Sequence, residues 1–191
     1  MNDSSQRELL TARLRLRPFA GSDFDVFVED LVSDPVVMQF YHSYTPTLTN
    51  DERSAKAQTD FLKHFEESRD RYGLETWALM PLDGSVEERG RLIGWAGLLE
   101  STIEPSDLGP EVQYMLASRY HGVGLVTEAV RAILADGFDR CGLSRVRAYV
   151  DAPNIGSRRV AEKLGFQLQG QVHAYGSDDM VLYVLESGWF Q

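Results

Sequence analysis

The sequence predicts a mixed α/β (α+β) domain in which a central, mostly antiparallel sheet of about seven strands is flanked by helices. Three observations predict it. The first third of the chain carries apolar residues at helical spacing, and Glu75 to Leu116 breaks into strand-length apolar or alternating runs. The remainder then reads helix, strand, helix and two strands. A length of 191 residues suits one well-buried domain rather than two independent ones. That domain is expected to span 1–191, with its core at about residues 10–187 and disorder confined to residues 1–7.

Leu14-Arg-Leu16-Arg-Pro18 alternates as a short strand. Ser22 then caps a helix carrying Phe24, Phe27, Val28 and Leu31, which Asp34-Pro35 stops. Thr49-Asn-Asp-Glu52 has capping-box form, and its helix is expected to bury Ala55, Phe61, Leu62 and Phe65 before Gly73 ends it. Strands follow at Glu75–Met80, Leu92–Leu99 and Glu111–Leu116, separated by Pro81-Leu-Asp-Gly84 and a longer loop. Val126, Ala129, Val130, Ile133, Leu134 and Phe138 repeat at helical period over Leu125–Phe138. Arg145–Val150 alternates as a strand with Val146, Ala148 and Val150 toward the core. Asn154 suits the N-cap of the next helix and Gly165 the residue past its end, with Val160 and Leu164 buried between them. Phe166–Val172 and Met180–Leu185 complete the sheet.

Composition narrows function without naming it. An apolar fraction of 43% with 25% charged residues is ordinary for a globular protein. No run approaches the ~20 apolar residues of a membrane span, and the polar N-terminus lacks a secretory core, so a cytoplasmic protein without a membrane partner is expected. The lone Cys141 cannot pair within its own chain, and nothing near it in sequence marks an activating base. A net charge of −10, without a Lys/Arg run, argues against nucleic acid and favours cationic partners. His42, His64, His121 and His173 show no metal-ligand spacing, and no metal is expected.

The chemistry concentrates where the third predicted strand ends. From Ala117 the chain runs through Arg119-Tyr-His121-Gly122-Val123-Gly124-Leu125 into an amphipathic helix. Two close glycines at a helix start leave backbone N–H groups free and let a ligand approach the main chain, an anion site suited to a pyrophosphate. A nucleotide P-loop needs Lys and Ser/Thr where Leu125-Val126 stands. A dinucleotide fingerprint needs a third glycine where Thr127 stands, and an acidic ribose contact ~20 residues on, which is missing.

Taken together the motifs resemble the GCN5-related N-acetyltransferase (GNAT) superfamily. Arg119-x-x-Gly122-x-Gly124 is similar to its Q/R-x-x-G-x-G/A turn, and Asn154-x-x-Ser157 through Leu164-Gly165-Phe166 is similar to its second signature. Arg13-Leu-Arg-Leu-Arg-Pro-Phe19, Asp34-Pro-Val-Val-Met-Gln-Phe40 and Leu92-Ile-Gly94-Trp95 resemble the RimJ/RimL ribosomal-protein acetyltransferases. The resemblance covers nearly the whole chain.

It implies acetyl-CoA as acyl donor. The backbone of Arg119–Gly124 and the start of the helix at Leu125 would hold the pyrophosphate, with Val123 in that turn. The strand before the turn would splay and pair with the pantetheine arm through Met115, Leu116 and Ala117. His121 could touch the donor, although a loop histidine facing solvent is the plainer reading. Asn154 and Ser157 would contact the pantetheine or its sulfur, and an N-cap role for Asn154 is compatible. Glu111 matches a glutamate of the subgroup strand and is the candidate general base for a primary amine; a solvated strand-end carboxylate is the competing reading. Many relatives place a tyrosine acid where Ala161 stands here, so Ser157 or water would serve, or no acid is needed. Trp95, Tyr114 and Phe166 are assigned to packing, and Tyr41–Thr49 with Glu100–Pro110 to the acceptor cleft. The expected activity is acetyl transfer to a protein N-terminal α-amine or a small-molecule amine, by direct attack in a ternary complex, in a monomer or homodimer. The rival from another class is a non-catalytic acyl-CoA-binding module.

Overall fold

The computed structural model describes residues 7–41, 52, 55, 59, 65, 69, 73–82, 90–101 and 103–190. Its strands are β1 (Leu9–Leu10), β2 (Leu14–Pro18), β3 (Thr76–Pro81), β4 (Gly94–Leu99), β5 (Glu111–Leu116), β6 (Arg145–Asp151), β7 (Gln167–Ala174) and β8 (Ser177–Glu186). They form one eight-stranded sheet in the order β1-β2-β3-β4-β5-β6-β8-β7, one strand more than expected because the two-residue β1 pairs with β2. Every neighbouring pair is antiparallel except β5 and β6, which are parallel.

Strand alternation sends side chains to two faces, and each face has its own core. On one side, Ala96, Leu98, Val112 and Leu116 pack with Leu125, Ala129, Val130, Ile133 and Leu134 of α3 (Leu125–Asp139) and with Ala161 of α4 (Ile155–Lys163). The apolar period of Leu125–Phe138 thus faces the sheet, as its spacing predicts. On the other side, Trp95, Leu99 and Met115 meet Phe27, Leu31, Val37 and Phe65.

That second layer is less regular than the sequence suggests. The segment after Ser22 is a 3₁₀ turn (Gly21–Asp23), α1 (Phe24–Phe27) and a π turn (Val28–Val32) rather than one helix. Asp34-Pro35 ends it and also starts α2 (Pro35–Met38), because the Asp34 carboxylate accepts from Val36 N at 2.8 Å and Pro35 sits at the first helical position. Residues 52, 55, 59, 65 and 69 are helical, and Phe65 is buried against Phe19 and Trp95 with ring centroids 5.5 and 4.9 Å away. Ala55 is exposed, contrary to expectation. Phe61, Leu62 and the capping box at 49–51 lie outside the described residues. Gly73 has φ +65° and its N–H bonds Arg69 O at 2.9 Å, closing that helix as its position predicts.

The irregularity that matters for function is at the centre of the sheet. β4 and β5 pair from Gly94↔Leu116 to Leu99↔Glu111, whereas β5 and β6 are in register only at Glu111↔Arg147. Beyond that point the two parallel strands part, so among the described residues the edge of β5 that faces β6 has no strand partner from Val112 to Leu116.

Candidate active site

The chain leaves β5 through a 3₁₀ turn at Ser118–Tyr120 and enters α3 through Gly122 and Gly124, with φ of +81° and +85°. Both lie in the left-handed region that glycine adopts without a Cβ penalty. Gly124 is the N-cap of α3 and supplies no side chain to its first turn. The helix therefore presents its N-terminal amide groups and the positive end of its dipole to the opening beside β5. α4 differs: Asn154 Oδ1 accepts from Ser157 N at 3.0 Å, so the cap role read from the sequence holds there.

The glycine turn is latched from behind. Arg13 Nη1 donates to Val123 O at 3.0 Å, while its Nε and backbone N donate to the Glu128 carboxylate at 2.7 and 2.8 Å. Thr11 Oγ1 adds a third bond to Glu128 at 2.6 Å. Burial pushes the Glu128 carboxyl up, but these bonds outweigh it and hold the group below the usual carboxylate range. Arg119 turns its guanidinium toward Asp30, at 3.0 Å, and over the Tyr120 ring, which leaves its backbone in the turn. His121 is exposed, as a loop histidine should be, and its Nε2 lies 2.8 Å from the Leu116 carbonyl on the open edge of β5.

Glu111 stands where β5 and β6 last touch and is only 3% exposed, which excludes the solvated strand-end reading. Burial lifts its carboxyl from 4.5 to about 7, against the opposing pull of hydrogen bonds from Tyr175, Gln113 and Ser101 and of the Arg147 charge. The Tyr175 hydroxyl donates to Glu111 Oε2 at 2.5 Å, and Gln113 Nε2 lies 3.4 Å from that hydroxyl. The Tyr175 ring meets the Tyr149 ring edge-on, with centroids 6.0 Å apart. Arg147, 1% exposed, is held by the carbonyls of Gly109 (2.8 Å from Nε) and Ile103 (2.7 Å from Nη1), and its backbone N bonds Pro110 O at 2.9 Å.

Sequence reasoning missed Tyr175, Tyr149 and Arg147. For Tyr175 there was a signal: Tyr175-Gly176 is the two-residue turn between β7 and β8, with φ of +52° and +75°. Such a turn ordinarily takes Asn-Gly, and a tyrosine there costs roughly 1–2 kcal/mol. Arg147 gave only an alternating pattern, which does not tell a solvated face from a buried polar one.

The predicted residues divide between the two sides of the opening. Glu111, Gln113 and Met115 share one face of β5, with Tyr149 and Tyr175 beside the carboxylate. Tyr114 points the other way, into the core under α3 and α4, where its hydroxyl approaches Ser157 O at 3.5 Å and burial pushes it up to about 12. Ser157 thus stands across β5 from Glu111. Trp95 and Phe166 are buried at 0% and 4%, in agreement with their assignment to packing. Of the expected acceptor lip, Tyr41 and the loop after Glu100 except position 102 are described; positions 42–49 are not.

The profile described as Acetyltransferase (GNAT) domain matches residues 13–167. An uncharacterized protein of Bacillus subtilis, YkkB, is 30% identical over 162 residues, covering 85% of this chain and 86% of that protein. Among solved structures, an acetyltransferase from Agrobacterium tumefaciens superposes with a TM-score of 0.74 at 21% identity, covering 96% of each chain. A ribosomal-protein-S5-alanine acetyltransferase from Vibrio fischeri gives 0.70 at 18%, covering 97% of this chain and 100% of that one. With the parted parallel strands, the uncapped helix start and a family match over most of its length, the chain belongs to the GNAT acetyltransferase family and is an acetyltransferase.

Proposed function

We propose that the protein transfers the acetyl group of acetyl-CoA to a primary amine by direct attack in a ternary complex, with Glu111 as general base. One observation carries the reading: the parting of β5 from β6 begins at a buried carboxylate and ends at an uncapped, glycine-rich helix start. A long ligand with a reactive head and an anionic tail fits that run. The amides of Arg119–Gly124 and Leu125 suit its pyrophosphate. The open backbone edge at Met115, Leu116 and Ala117 suits the amides of the pantetheine arm, with His121, Val123, Asn154 and Ser157 along the same path.

The chemistry asks for little more. The acceptor arrives as an ammonium ion, and Glu111 takes one of its protons so that the nitrogen lone pair can attack the thioester carbon. A base lifted to about 7 is ionised for much of the population at neutral pH and is still basic enough to accept. When the carbon–sulfur bond breaks, the electron pair stays on sulfur, and the second proton of the former ammonium passes through water to that thiolate, giving the amide and the free thiol. A thiol of pKa ~8.5 leaves readily as thiolate, so Ala161 in place of an acid is no obstacle. Ser157, across β5 from the base, is the hydroxyl assigned to the sulfur side.

The acceptor class is a protein N-terminal α-amine or a small-molecule amine, encountered in the cytoplasm. Likeness to a ribosomal-protein acetyltransferase supports the first, and a net charge of −10 favours either cation. The test is thiol release from acetyl-CoA across peptides of varied N-terminus, polyamines and amino acids, with calorimetric binding of acetyl-CoA alongside. Release with one class establishes the acceptor. Binding without release for every amine would overturn the reading in favour of an acyl-CoA-binding module.

A further inference from the structure

The β7–β8 turn places a tyrosine in a left-handed conformation that its sequence position does not favour, and its hydroxyl ends on the one buried carboxylate of the site. A bulky residue kept in such a conformation points to a role beyond joining two strands. We propose that Tyr175 is a positioning residue for Glu111: its hydroxyl holds the carboxylate in its ionised form and aims it across the opening between β5 and β6. This rests on Glu111 being the base.

The geometry gives the hydroxyl that task. The β7–β8 turn brings Tyr175 to the site, and its ring is steadied by the edge of Tyr149 on β6. Its oxygen sits 2.5 Å from Glu111 Oε2 and 3.4 Å from Gln113 Nε2, so that amide can donate to the oxygen that donates to the carboxylate. The other groups facing Glu111 are Ser101 on the loop after β4 and Arg147 on β6. Arg147 donates to the Gly109 and Ile103 carbonyls, and of the hydrogen bonds that reach Glu111 from Tyr175, Gln113 and Ser101, that of Tyr175 opposes the effect of burial most. Desolvation first, and then the facing Glu111, Tyr149 and Tyr41, oppose the ionisation of Tyr175, so it remains an O–H donor at any working pH. His173 and Asp178, paired at 2.6 Å on the same hairpin, are exposed.

A donor to the charged form lowers the pH at which a carboxyl ionises, and here it opposes burial. Tyr175→Phe keeps the ring and the turn and removes only the donor. In the pH dependence of kcat/KM for the acceptor found above, the acidic limb is then expected to move up by roughly one pH unit. The rate falls about tenfold below the limb and returns to within about twofold of the parent at pH 9, with KM for acetyl-CoA unchanged. Tyr175→Asn, a residue at ease in the left-handed turn, is expected to show the same displacement although the turn itself is relieved. A limb that does not move, or a rate reduced equally at every pH, would overturn the proposal.

Urea unfolding of the parent and Tyr175→Phe at pH 5 and pH 8 reads the same link without turnover. The variant's deficit is expected to be larger at pH 8, where the carboxylate is charged, and an equal deficit at both would also overturn the proposal. If Glu111→Gln kept full turnover, the base reading would fail, and the unfolding data would still decide whether Tyr175 stabilises the Glu111 carboxylate.

Discussion

Replacing Glu111 by Gln should make this protein more stable at pH 8 and slightly less stable, by up to about 1 kcal/mol, at pH 5. The Glu111 carboxyl is buried, and burial lifts it from 4.5 to about 7. A carboxyl raised in the folded state holds its proton there more tightly than in the unfolded chain. Its favourable contribution is complete below about 4.5 and is lost as the pH rises through about 7. The interval corresponds to about 3 kcal/mol, which the ionised enzyme forgoes at pH 8. Gln has the same shape and no charge, and its carbonyl can still accept from Tyr175. Its amide N–H must find a partner, which returns roughly 1–2 kcal/mol of that gain. The expected net gain at pH 8 is about 1–3 kcal/mol, or roughly 2–10 °C in Tm for a chain of this size. Thermal unfolding of both proteins at pH 5 and pH 8 measures it. A variant less stable than its parent at pH 8, or a difference that is the same at both values, would refute the reasoning, because the cost would then not come from an ionised buried carboxylate.

Two further changes test the supports of the site. Gly109 has φ +77°, and an added Cβ would stand 2.3 Å from the Arg145 carbonyl oxygen. Gly109→Ala should cost roughly 2–4 kcal/mol in urea unfolding and reduce turnover as well, because the Gly109 carbonyl holds Arg147; a loss below about 0.5 kcal/mol would count against a strained backbone there. Arg13→Ala removes the bond to Val123 O and leaves the Glu128 charge uncompensated at the start of α3, where it competes with a phosphate. KM for acetyl-CoA should rise several-fold with kcat nearly unchanged, and an unaltered KM would show that the latch is not needed for the turn.

Much of the fold follows from local pattern. The buried stripe of α3, the cap at Asn154, the glycines that end helices and the alternation of β6 all act within a few residues, and all appear as the sequence predicts. What local pattern does not contain is the contact between distant segments. The parting of β5 from β6 depends on how two strands 36 positions apart in register meet at a single pair, so it came from resemblance and not from periodicity. Ala55 was misplaced because apolar spacing alone does not fix the angle of a helix on the sheet. Glu111 was visible as a strand-end carboxylate, but the hydroxyl that donates to it belongs to Tyr175, 64 residues away. Arg147 was invisible for a related reason: the carbonyls that make its burial affordable belong to Ile103 and Gly109, on a loop with no period to read.

The central claim is that Glu111 acts on the acceptor's proton at the point where β5 and β6 part. Steady-state turnover and acetyl-CoA affinity, measured on the same preparation of Glu111→Gln, test it most directly. The account predicts turnover reduced by roughly 10²–10⁴-fold at pH 7.5 with acetyl-CoA affinity within about twofold of the parent. Undiminished turnover would contradict it and move the base elsewhere in the opening.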